Sequence, residues 1–139
     1  MLKYTLILLS FLSFSPAFGE ENIWVVANVS DSSIALSKAE VRTLFMNNST
    51  SDSSLLQPVS LVPGHRARSI FNAKVIALPE SRIQSYWAQM RFSGRMAAPK
   101  EMDSLQAMLQ YIGENEGAVG YVPAGTELPS HLTVVYASL

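Results

Sequence analysis

Two apolar stripes with one spacing constrain the fold of this chain more than any other feature. Ile83, Tyr86, Trp87 and Met90 fall at i, i+3, i+4 and i+7, and Leu105, Met108, Leu109 and Ile112 repeat the pattern. Each stripe puts four apolar side chains on one face of a helix, a face that has to be covered. Around them lie apolar runs too short to be helices. Ile23 to Ala27, Val59 to Val62, Ala118 to Val122 and Thr133 to Tyr136 read as strands. Strands alternating with helices predict an α/β domain, a mostly parallel sheet flanked by helices. No internal repeat and no long linker divides it.

Local signals place the helix ends. Ser37-Lys38-Ala39-Glu40 is a capping box, with Leu36 and Val41 at the flanking staple positions. It predicts a helix from Ser37 that buries Val41, Leu44 and Phe45. A second helix follows Pro63-Gly64, turns Ala67, Ile70, Phe71 and Val75 inward, and stops before Pro79. The third begins near Pro79, and Asp103 is the expected N-cap of the fourth. Asn47 to Ser54 and Phe92 to Glu101 are expected to be loops.

The N-terminus reads as a targeting segment. Met1-Leu2-Lys3 is a short positive start, Tyr4 to Phe14 is almost wholly apolar, and Ala17-Phe18-Gly19 follows a Ser15-Pro16 break. This is the pattern of a signal peptide over residues 1–19, with the domain at 20–139 and the periplasm as destination. The apolar run is well short of the ~20 residues that span a bilayer. The chain has no cysteine, which excludes a lipid anchor on a mature N-terminal Cys and leaves stability to packing alone. Formal net charge is -1, and cleavage would also remove Lys3. Without a basic excess, nucleic acid is excluded as a partner.

The segment richest in chemistry runs from Val59 to Phe71: strand, Gly64 turn, then His65-Arg66-Ala67-Arg68-Ser69 opening a helix. Cationic side chains in a first turn oppose the helix dipole by about 0.3–1 kcal/mol each. A bound anion would resolve the conflict; so would carboxylates such as Asp31 or Glu80, and solvated surface is the third reading. Asn28, Ser30, Asp31, Ser32 and Ser33 form the loop after the first strand. In a parallel sheet that loop shares the ligand-bearing edge. Arg91 and Arg95 bracket Phe92-Ser93-Gly94, where a guanidinium can reach over a pocket. The candidate ligand-binding set is therefore Asn28, Ser30, Gly64, His65, Arg66, Arg68, Ser69 and Arg95. Tyr86, Trp87 and Tyr121 are expected in the core. His65 and His131 stand far apart, and no metal-ligand spacing, nucleophile elbow or Walker loop is present, so no metal, cofactor or catalysis is expected.

Several segments together carry a resemblance. They are Leu36 to Phe45, Arg68 to Val75, Tyr86-Trp87 with Phe92-Ser93-Gly94-Arg95, Ala98 to Glu101, and Gly117 to Val122. In order and spacing the chain resembles the short, standalone phosphate-binding-protein-like family. These are periplasmic substrate-binding domains of type 2, related to the binding component of the phosphate ABC importer. The resemblance implies a single lobe of that fold, non-enzymatic binding of a small anion with phosphate first, and a membrane transporter or sensor as partner. Two departures stand out. His65-Arg66-Ala67 replaces the hydroxyl-bearing turn of the importer relatives, and the chain has length for one lobe where full relatives have two. A homodimer or another protein would then complete the pocket. The alternative is a lobe that binds no small ligand and docks on an envelope protein.

Overall fold

The computed structural model describes residues 21–47 and 56–139. The expected leader and most of the expected Asn47 to Ser54 loop lie outside the described residues. Among the described residues five strands form one sheet in the order β3-β2-β4-β1-β5: β1 is Ile23–Ala27, β2 Gln57–Leu61, β3 Lys100–Met102, β4 Ala118–Pro123 and β5 Thr133–Ala137. β2 runs parallel to both β3 and β4, whereas β1 is antiparallel to both β4 and β5. Four strands thus share one direction and β1 opposes them. Two of the four pairings are parallel and two antiparallel, so the sheet is mixed where a mostly parallel one was expected.

Four α-helices among the described residues flank it: α1 Lys38–Asn47, α2 Arg66–Phe71, α3 Glu80–Phe92 and α4 Leu105–Glu114. The capping box at α1 forms as read. Glu40 N donates to Ser37 Oγ at 3.1 Å, and Ser37 N donates to Glu40 Oε2 at 2.6 Å. Val41, Leu44 and Phe45 are buried beneath it. α2 runs straight into a π-helical turn, Asn72–Ile76, closed by Ala77 in the left-handed region at φ 59°. That turn ends the helix before Pro79 and lets α3 restart at Glu80. The N-cap of α4 is Ser104, not the expected Asp103, and its Oγ accepts from Ala107 N at 3.0 Å.

Successive residues on β4 face opposite sides of the sheet, which divides the core into two layers. Gly120 faces α4: a Cβ there would stand 2.7 Å from Ile112 Cδ1 and 2.9 Å from Met108 Sδ. Tyr121 faces the other side, stacked on Phe71 with ring centroids 4.0 Å apart and tilted against Phe45 at 5.8 Å. Trp87 packs edge-on to Tyr86 and is buried. Trp87 and Tyr121 are core as expected, whereas Tyr86 is only partly buried against it, its OH donating to Met46 O at 2.8 Å. β3 was not expected. Three residues inside a polar stretch carry no strand pattern, and they pair only because β2 presents an open parallel edge.

Candidate functional site

β2 and β4 end at one edge of the sheet, and because β1 is antiparallel its start lies at that edge too. The ladder extends there through Ala124 N, which donates to Asn22 O at 3.0 Å. α2 begins nearby, after the turn in which His65 N donates to Val62 O at 3.2 Å, and so does α4, which follows β3. These five chain ends enclose an open cleft of about 570 Å3. Its polar lining is Glu21, Asn22, His65 and Arg66; its apolar wall is Ala67, Ile70, Leu105, Pro123 and Ala124.

The cleft's charges are paired across it. Arg66 Nε donates to Glu21 Oε2 at 3.1 Å, and Arg66 Nη2 also bonds Glu21 Oε1. The hydrogen bond from Arg66 holds the Glu21 carboxyl below its ordinary pKa, and the same pairing raises that of Arg66. His65 caps α2 with its ring: Nδ1 accepts from Ala67 N at 3.1 Å. Asn22 is steadied by Lys74, whose Nζ donates to Asn22 Oδ1 at 3.1 Å.

Of the candidate residues, His65 and Arg66 line this cleft, and Gly64 shapes the turn before it at φ 90°. Ser69 lies one helical turn on, its Oγ donating to His65 O at 3.4 Å. The other four lie elsewhere. Asn28 sits at the opposite edge of the sheet, donating from Nδ2 to Ile112 O at 2.9 Å and to Gly113 O at 3.3 Å. Ser30 follows it in the same exposed loop. The antiparallel course of β1 is the reason: its carboxyl end points away from those of β2 and β4. Arg95 is exposed in the turn after α3 and does not line the cleft.

Arg68 is buried beneath α2 instead of facing an anion. Its Nε donates to Glu80 Oε1 at 2.5 Å and its Nη2 to Glu80 Oε2 at 2.9 Å. Its Nη1 donates to Glu101 Oε2 at 2.7 Å and to Leu61 O at 2.7 Å. Burial works against the charged form, but the Glu80 bonds prevail and the guanidinium pKa is raised. The Arg68 bonds in turn lower the Glu80 pKa. Ser60 and Tyr121 complete the cluster, Ser60 Oγ lying 2.7 Å from Tyr121 OH, which also accepts from Leu61 N at 3.0 Å. The dipole conflict at the helix start is therefore met by internal carboxylates: Glu80 and Glu101 for Arg68, and Glu21 for Arg66. Asp31 takes no part, since its Oδ1 accepts from Ser33 N and Oγ.

Among the described residues, no group of three or more His, Cys, Asp or Glu is placed to hold a metal. Among the same residues, no helix is long and apolar enough to cross a membrane.

No protein-family model matches the chain, and no curated protein matches it in sequence. Solved structures do match in fold. One is a protein from Clostridium perfringens assigned as a phosphate ABC transporter substrate-binding protein, with phosphate bound. It superposes with a TM-score of 0.62 at 13% identity over 83% of this chain and 44% of its own. An ABC-type phosphate transport receptor from Vibrio cholerae gives 0.60 at 12% identity, over 83% of this chain and 45% of its own. The chain spans less than half the length of either. The fold of this chain is thus similar to part of the fold of these two substrate-binding proteins, the α/β architecture that the resemblance implied.

Proposed function

We propose that this protein is an exported, non-enzymatic binding domain that receives a small anion, phosphate being the first candidate, in the cleft between α2 and α4. The observation that carries the reading is the placement of Arg66 and His65 in an open cleft where β2 and β4 end. Ligands gather at that edge in open α/β sheets. In this reading an incoming anion takes over Arg66 from Glu21, and Glu21 serves as the resident counter-charge of the empty site. The fold shared with phosphate-binding transport proteins supports the class of ligand. A single lobe leaves one side of the cleft open. A second copy, or a membrane transporter or sensor, covers that side, and the leader over residues 1–19 directs the chain to the periplasm where such partners work.

The experiment is calorimetric titration of the mature protein with phosphate, sulfate and acetate, for wild type, Arg66→Ala and Glu21→Gln. Expected is binding that weakens with salt, is lost in Arg66→Ala and tightens in Glu21→Gln, where the internal competitor is gone. Absence of heat with every anion in wild type contradicts the reading.

One observation favours a second reading, a docking module of the envelope. Both arginines already have carboxylate partners, and His65 uses its ring to cap the helix. A lobe satisfied in this way needs no ligand to fold. Under this reading Glu21→Gln produces no anion binding.

A further inference from the structure

The cleft is larger than a bare oxyanion fills, and one side of it is apolar. Its polar groups, Glu21, Asn22, His65 and Arg66, are joined by a wall of Ile70, Leu105, Pro123 and Ala124. Ile70 and Leu105 are only half-buried, so part of each side chain is exposed to whatever enters. A tetrahedral oxyanion held by Arg66 would fill a small part of about 570 Å3 and leave these side chains wet. Sites of this size usually take organic ligands, held by a mainly apolar lining and oriented by a few polar groups.

Resting on the anion-binding reading above, we propose that the ligand is an organic anion with two parts. A phosphate or carboxylate head meets Arg66 in exchange for Glu21. An apolar body lies along Ile70, Leu105 and Pro123. A site that encloses bare phosphate needs many hydrogen-bond donors, whereas one that draws on apolar contact needs only a charge to orient the head.

The test compares inorganic phosphate with phenyl phosphate by titration calorimetry on the mature protein, in wild type, Arg66→Ala, Leu105→Ala and Ile70→Ala. Circular dichroism checks that each variant is folded. Phenyl phosphate should bind about tenfold or more tightly than phosphate, the gain expected when ~60 Å2 of apolar surface leaves water. Leu105→Ala and Ile70→Ala should each shrink that ratio, and Arg66→Ala should abolish binding of both anions. Equal affinities for the two anions, or a ratio that neither apolar variant alters, overturns the two-part ligand and leaves anion binding standing. Binding of phenyl phosphate that survives Arg66→Ala overturns it as well. No binding of either compound by wild type removes the anion reading itself, and this inference with it.

Discussion

Arg68 and Glu80 meet at two points, Nε on Oε1 at 2.5 Å and Nη2 on Oε2 at 2.9 Å, with the arginine side chain 7% exposed. The pairing ties the buried end of α2 to the first turn of α3. Through Glu101 the same guanidinium holds β3 on the sheet. Arg68→Ala is expected to destabilise the fold. Removing one partner of a buried pair costs about 3–5 kcal/mol. Glu80 and Glu101 retain 34% and 42% side-chain exposure, so water recovers part of that and the loss falls at or below the lower bound. Urea denaturation of variant and wild type measures it, and an unchanged midpoint would show that the cluster contributes nothing.

The same pair sets an acid limit. Glu80 has its pKa lowered by Arg68 from the ordinary 4.5, so its stabilisation is complete above that value and is lost as pH falls through the folded pKa. Glu80→Gln should be less stable than wild type at pH 7. The gap should narrow progressively below about pH 4.5. Denaturant midpoints taken from pH 7 down to pH 3 check the sign; a constant gap means that Glu80 does not titrate with folding.

Gly120 is fixed by the approach of α4. Gly120→Ala places a methyl against Ile112 and Met108, both fully buried, and should cost about 1–3 kcal/mol by overpacking. Adding Ile112→Val removes the nearest atom, Cδ1, and should restore part of the loss. Thermal melts of the single and double variants decide it: a double variant no better than the single places the strain elsewhere.

Trp87 is 7% exposed, so Trp87→Ala should act on stability, by about 3–5 kcal/mol, with anion affinity unchanged in whatever fraction folds. Loss of binding in a folded Trp87→Ala protein would move the functional surface to α3.

What was legible in the chain is what local chemistry determines. Ser37 and Glu40 cap each other three residues apart, and a stripe such as Ile83, Tyr86, Trp87 and Met90 names the face that packs inward, with Ile83 and Trp87 buried and Tyr86 and Met90 partly so. The direction of β1 was not legible, because a short apolar run reads the same both ways; with it went the expected place of Asn28 and Ser30. β3 escaped because Lys100-Glu101-Met102 is strand only by courtesy of its neighbour. Arg68 looked like an anion contact because a cation in a first turn is ordinarily surface. Its partners stand 12 and 33 residues away in sequence. Glu80 was a foreseeable partner from its charge, but nothing in the pattern marked Glu101 as the second.

The most direct measurement of the central claim is a map of backbone amide shifts in a ¹⁵N-labelled mature protein titrated with phosphate and phenyl phosphate. Saturable shifts should concentrate at Glu21, His65, Arg66, Ala67, Leu105 and Ala124, and vanish in Arg66→Ala. Absence of saturable shifts, or shifts centred on Asn28 and Ser30 or on Arg95, would contradict an anion site in the cleft between α2 and α4.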